Sequence, residues 1–168
     1  MPDTLEKPPT AAGYDEDFFL WTQAQAEALR EAGRAGVNAS VDWENVAEEI
    51  ESLGRRDRRE ARSLIFDILL FFIKLQASSQ IDRRDDWKNR VRDLRWRLEQ
   101  IFEDSPSLKA QLFQLVEEEW QAAVSEAALQ FREDGEDEQA LKSLVYLKLV
   151  GPAGEYVIAD ERFPGKLA

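Results

Sequence analysis

Apolar residues recur with a period near 3.6 along most of the chain, which is typical of amphipathic helices. The pattern predicts a first helix over residues 15–33 and a second over residues 42–54. Each begins at an aspartate, which suits a helix N-terminus, and ends at a glycine, which suits a helix end. Three further helices are predicted over residues 55–76, 86–103 and 106–133, the last beginning with a serine and a proline that together mark a helix start.

The third predicted helix is the most unusual segment. It begins with five arginines in two turns and continues as an apolar run from Leu64 to Leu75 that covers every side of the helix. A transmembrane span needs about 17 to 25 apolar residues, so a run of this length, interrupted by Asp67, does not predict one. We therefore expect this helix to be buried on all sides, at the centre of a bundle or at a subunit interface.

These patterns predict an all-α fold, a bundle of five to six helices around a central apolar helix at about residues 56–76. The segment 138–150 fits either a sixth helix or a strand, because it mixes a helical pattern with β-branched and aromatic residues. The chain divides into a disordered N-terminal tail (1–13), a helical bundle domain (14–150) and an irregular C-terminal tail packed on the bundle (151–168).

The composition restricts the kinds of metal site and catalysis that the chain can support, because the 168 residues include neither cysteine nor histidine. Zinc sites of the usual kind, iron–sulfur clusters, thiol catalysis and histidine acid–base chemistry are thereby excluded. We expect no cofactor and no bound metal. The N-terminus lacks the basic start and apolar core of a secretory signal, so we expect a cytoplasmic protein with no membrane association.

The net charge of −12 is unevenly distributed along the chain. Residues 55–97 contain 13 basic and 7 acidic residues, a local net charge of +6, whereas the rest carries a net charge of −18. The basic segment could attract a polyanion, but pairing with the acidic flanks within the same fold is the favoured interpretation. Nucleic-acid binding through Arg55–Arg97 is therefore a disfavoured alternative.

Several segments together resemble a known family. They are Tyr14–Trp21 (YDEDFFLW), Asp42–Arg55 (DWENVAEEIESLGR) and Ser105–Leu108 (SPSL), with Trp87 and Val91 between the last two. In this order they are similar to the bacterial and cyanobacterial family catalogued as domain of unknown function 29. The resemblance covers about residues 14–131 and implies an all-helical fold without an established activity.

Two charged clusters are candidate binding sites. Arg55, Arg59 and Arg62 could bind a phosphate or a carboxylate-rich partner, or could pair with the glutamates of the second helix. Three of those glutamates follow an i, i+4, i+7 spacing, namely Glu44, Glu48 and Glu51. Such a row could bind a hard cation, but a solvated or ion-paired face is the favoured interpretation.

Two single residues stand out against their surroundings. Asp67 lies inside the apolar run, and if it is buried it must be protonated or paired with an arginine. Trp96 lies opposite the apolar stripe of its own helix, close to Arg92. We expect another element to cover Trp96, because large aromatic side chains are usually buried; if it is exposed, it is a candidate interaction site.

The sequence does not specify a biochemical function. The favoured hypothesis is a protein-interaction or regulatory helical module without catalytic activity, which binds a protein partner or associates with itself as a homodimer. An enzyme or metal-binding protein built from carboxylates and arginines is the alternative. The sequence contains no nucleophile–base pair and no cofactor-binding loop to support it.

Overall fold

Six α-helices account for most of the residues that the computed structural model describes, which are 12–37, 40–144, 146–152 and 154–165, and no strand occurs among them. The helices are α1 (Phe18–Arg34), α2 (Trp43–Ala77), α3 (Arg84–Asp104), α4 (Pro106–Ala110), α5 (Leu112–Glu133) and α6 (Tyr146–Val150). Short 3₁₀ helices occupy Ile81–Arg83, Glu138–Ser143 and Glu155–Val157. The predicted all-α fold is confirmed. The tail proposed for residues 1–13 lies, up to residue 11, outside the described residues.

The chain forms two compact units, and both α2 and α3 contribute to each of them. The first unit comprises the described residues up to Arg59 together with Phe102–Lys109. The second comprises Glu60–Ile101 and the described residues from Ala110 onward.

In the first unit, a buried carboxylate joins the starts of two helices. Asp17 is the N-cap of α1, and its Oδ1 atom accepts a hydrogen bond of 3.0 Å from the backbone amide of Leu20. The same carboxylate accepts bonds of 2.6 Å and 2.9 Å from the backbone amide and the hydroxyl of Ser107 in α4. In return, the Ser105 hydroxyl accepts from the backbone amide of Phe19 at 3.1 Å. Each helix start therefore satisfies amide groups of the other.

The prediction that Gly54 ends the second helix is wrong, because α2 runs without interruption from Trp43 to Ala77. Gly54 instead lies against α1, where a Cβ atom would come within 2.2 Å of Thr22 Oγ1 and 3.2 Å of Phe19. The glycine is needed for this close approach of two helices. Local sequence reasoning cannot distinguish that role from a helix stop.

The Gly54→Ala variant is expected to lower the free energy of unfolding by about 2 kcal/mol, because overpacking outweighs the better helix propensity of alanine. Urea unfolding monitored by circular dichroism measures the loss. The double variant Gly54→Ala/Thr22→Ala removes the clashing oxygen. Its loss of stability should therefore be about 1 kcal/mol smaller than the sum of the losses of the two single variants. Strict additivity would contradict the proposed contact.

In the second unit, the apolar part of α2 supplies much of the core. Its residues with essentially no exposed surface are Ile65, Ile68, Leu69, Phe72, Ile73 and Leu75. However, Asp67, Phe71 and Lys74 are only half-buried, and their i, i+4, i+7 spacing places them on one stripe. The expected burial on all sides is therefore wrong along this stripe, where covering Asp67 and Lys74 would remove two charges from water.

One other boundary differs from the sequence prediction, and one alternative that the sequence left open is decided. A helix does begin at Pro106, but the chain leaves helical geometry at Gln111, so the predicted fifth helix is two helices. The segment 138–150 forms a 3₁₀ helix and α6, and the described part of it contains no strand. The helical alternative for that segment is therefore the correct one.

Candidate interaction groove

The half-buried stripe of α2 forms one wall of a groove in the second unit, and α3 forms the other. The groove has a volume of about 1020 Å³. Its apolar floor consists of Phe71 from α2 with Trp87 and Leu94 from α3. Asp67 and Lys74 stand at opposite ends of the α2 wall, one turn of helix from Phe71.

Along the opposite wall, formed by α3 and the end of the 3₁₀ helix before it, a row of exposed charges alternates in sign. The row consists of Arg83, Asp86, Arg90, Asp93 and Arg97, spaced three or four residues apart. Arg97 pairs with Glu60 of α2 at 3.2 Å. Within the described part of the chain, the middle three side chains have no ion-pair partner. These charges are therefore available to a molecule that enters the groove.

Trp96 is 67% exposed, so the expectation that another element covers it is wrong. The core side of α3 is already formed by Trp87, Val91 and Leu98, and the helix turns Trp96 away from that side. On the helix surface it is a neighbour of Asp93, which belongs to the charged row. An exposed tryptophan next to this charged row has the properties of a binding anchor.

Burial shifts the pKa values of the two charged side chains of the α2 wall in opposite directions. Desolvation raises the pKa of Asp67, and the nearby charge of Arg97 partly offsets this rise. Desolvation lowers the pKa of Lys74, although the charges of Asp134 and other acids oppose it. The candidate buried acid Asp67 is thus half-buried, and the charge of an arginine, Arg97, acts on it.

The predicted interaction residue Arg92 is occupied by the C-terminal segment. Its guanidinium donates two hydrogen bonds of 2.9 Å to the carboxylate of Glu161. It also lies 5.1 Å from the ring centroid of Phe163. Because Glu161 already binds its guanidinium, Arg92 is not free to bind the same ligand as Trp96.

Arg95 is a structural residue that the sequence analysis missed. It is 5% exposed, and its guanidinium donates to the backbone carbonyls of Tyr156 (2.7 Å), Val157 (2.9 Å) and Arg162 (2.7 Å). Burial lowers its pKa to about 10, so it remains charged at neutral pH. A signal was present in the sequence, because position 95 falls within the buried stripe between Val91 and Leu98.

Two of the three candidate arginines near the start of the apolar helix form ion pairs with glutamates. Arg55 contacts Glu51 at 3.2 Å, one turn earlier in α2, and Arg59 is exposed. Arg62, in the second unit, pairs with Glu118 at 3.4 Å and also contacts Glu119. These pairs support the interpretation that the basic segment is balanced by acidic residues elsewhere in the fold.

The acidic row of α2 is likewise engaged by arginine. Arg30 of α1 contacts Glu44 at 3.2 Å and Glu51 at 2.7 Å. Arg30 holds the pKa of Glu51 below its usual range. No group of three acidic side chains suited to holding a metal ion is found among the residues that the structure describes. Within the same residues, no helix is long and apolar enough to span a bilayer.

Comparisons with known proteins find one family model and a similar helical structure. The family model described as "Domain of unknown function DUF29" matches residues 14–143. The chain is also similar to the crystal structure of an alpha-helical protein of unknown function from Rhodospirillum rubrum, with 26% sequence identity and a TM-score of 0.71. That similarity covers 89% of this chain and 91% of the other. No curated protein matches the chain.

Proposed function

Because the chain belongs to the DUF29 family, whose description names no activity, we propose a function from the geometry: it is a protein-interaction module. The groove between α2 and α3 is the binding site, and its occupant is an amphipathic helix of a partner protein. The observation that carries the proposal is the row of exposed charges beside an apolar floor. We place the module in the cytoplasm, since a chain without cysteine needs no oxidising compartment.

The shape and chemistry of the groove favour a helix over an extended peptide. Helix-in-groove recognition uses apolar anchors spaced three or four residues apart, and the charges of the α3 wall follow the same spacing. A partner helix would place apolar side chains on Phe71 and Leu94, an acidic side chain opposite Arg90 and a basic one opposite Asp93. Trp96 would contact the outer edge of that helix and exclude water from the charged pairs.

The alternatives explain less of what the structure shows. In an enzyme built from carboxylates, Glu44 and Glu51 would have to be available, but both contact Arg30. In a nucleic-acid binder, the basic segment would have to display its arginines together, whereas Arg62 and Arg92 pair with glutamates and Arg95 is buried. Mixed charges along the groove also disfavour a polyanion.

A library of displayed helical peptides, each about 20 residues long, tests the proposal on the intact protein. We expect the selected peptides to carry an apolar stripe flanked by an acidic residue for Arg90 and a basic residue for Asp93. The exchanged variant Arg90→Asp/Asp93→Arg should select peptides with the two charges reversed. Trp96→Ala should weaken the binding of the selected peptides by about tenfold.

The matched control exchanges a charge pair on the same helix outside the groove, Asp85→Lys/Lys88→Asp, which should leave the selected sequences unchanged. If the same peptides are selected from every variant, or if none is enriched, the groove is not the binding site. Sedimentation of the protein alone tests a second copy as occupant. If the wild-type protein is a dimer that dissociates in the exchanged variant, the occupant of the groove is a second copy of this chain rather than a partner helix.

A further inference from the structure

Lys74 differs from an ordinary surface lysine in its surroundings. Its Nζ atom lies 5.8 Å from the ring centroid of Phe71 and 6.0 Å from that of Trp87, so two aromatic rings surround the amine. Among the described residues, no carboxylate lies within ion-pair distance of it. Lys88, by contrast, is 3.3 Å from Asp85. The Lys74 amine therefore faces the groove without a salt-bridge partner.

Two arginines of the opposite wall lie one turn of helix on either side of Trp87, the ring that Lys74 approaches. The guanidinium of Arg83 lies 6.0 Å from the ring centroid of Trp87, the ring that Lys74 also approaches. Arg90 follows two turns later along the same wall, and Asp86 stands between them. Guanidinium groups bind phosphate well, so this part of the groove suits a small ligand that carries a phosphate next to an electrophilic carbon.

We propose that Lys74 is a modification site, at which small acyl phosphates transfer their acyl group to the amine. The neutral amine attacks the acyl carbon, and the new C–N bond replaces the bond between that carbon and the bridging oxygen of phosphate. The phosphate leaves with the electron pair of the broken bond, and the proton of the amine passes to solvent. The product is an uncharged amide on Lys74, and no oxidant or reductant is involved.

The surroundings of Lys74 favour both the reaction and its product. Only the neutral amine is nucleophilic, and burial lowers the pKa of Lys74, which increases the neutral fraction at a given pH. Arg83 and Arg90 would hold the phosphate during the attack. The amide no longer carries a charge to desolvate, and a short acyl chain can pack on Phe71 and Trp87. This modification does not depend on a helix binding in the groove.

The test is acetylation of the intact protein by acetyl phosphate, with each lysine quantified by mass spectrometry at early times. Because reactivity follows the neutral fraction and phosphate positioning, we expect the initial rate at Lys74 to be roughly fivefold above those at Lys88 and Lys142. The double variant Arg83→Gln/Arg90→Gln, which changes two exposed side chains, should lower the rate at Lys74 by about fivefold. Phenyl acetate, a donor without phosphate, should lose less of its rate at Lys74 than acetyl phosphate does, because the Arg83 charge also lowers the pKa of Lys74 and its removal slows both donors.

Three results would overturn the proposal. The first is acetylation of Lys74 at or below the rate of Lys88. The second is an unchanged rate with acetyl phosphate in Arg83→Gln/Arg90→Gln. The third is an equal loss of rate with both donors, which would mean that the substitutions act through the pKa of Lys74 or through access to it rather than through phosphate binding. None of these results bears on helix recognition, so the two proposals can fail independently.

Discussion

Replacing Arg95 with methionine is expected to lower the free energy of unfolding by about 3 to 5 kcal/mol, because three backbone carbonyls lose a charged donor. Those carbonyls belong to Tyr156, Val157 and Arg162, and the methionine side chain fills most of the space but donates nothing. Urea unfolding measures the global loss. Hydrogen exchange of residues 155–163 should show that this segment loses its protection first.

The matched control is Arg92→Gln, which removes a second arginine that holds the same segment. Arg92 is exposed and binds the exposed side chain of Glu161, so Arg92→Gln should lower the free energy of unfolding much less than Arg95→Met does. The Arg95→Lys variant keeps the charge, but its single nitrogen cannot reach all three carbonyls. Its free energy of unfolding should fall between those of the other two variants. If Arg95→Met unfolds at the wild-type urea concentration, the carbonyl contacts do not stabilise the C-terminal segment.

The second large effect is expected for Asp17→Ala, with a loss of about 3 kcal/mol in the free energy of unfolding. The variant removes the N-cap of α1 and at the same time both hydrogen bonds that Ser107 donates. Since Asp17 is 6% exposed, water cannot readily replace the lost acceptor. Thermal and urea unfolding monitored by circular dichroism provide the measurement.

Two further variants separate the contributions of the Asp17 carboxylate. Asp17→Asn retains one acceptor oxygen, so it should lose about half as much stability as Asp17→Ala. Ser107→Ala removes only the hydroxyl donor and should lose about 1 kcal/mol. Equal stabilities of Asp17→Ala and Ser107→Ala would show that Asp17 does not cap α1 and α4 together.

The segments that carry the family resemblance meet in the first unit and have structural roles there. Asp17 and Ser107 come from the first and last of them, and Gly54 from the second packs on Thr22. All of these contacts fix helix starts or a helix crossing. These residues therefore serve the fold, and the groove beside α3 is formed mostly by residues outside the quoted segments.

The sequence by itself determined the helical class and the positions of most helices. Helical periodicity and end signals are local, so the stripe of Trp87, Val91 and Leu98 and the helix start at Pro106 could be found from neighbouring residues alone. The uneven charge also predicted pairing of the basic segment with acidic residues outside it, and Arg62 and Arg92 form such pairs.

Tertiary structure decided the properties that depend on residues distant in sequence. Gly54 is typical of a helix stop, and only the approach of Thr22 explains why a glycine lies inside α2. Trp96 and Arg95 are adjacent on one helix, yet one is exposed and the other buried, because the C-terminal carbonyls reach only Arg95. The groove beside Lys74 depends on where α3 leaves α2 uncovered. Periodicity assigns a residue to a helix face, but packing with distant segments determines what covers that face.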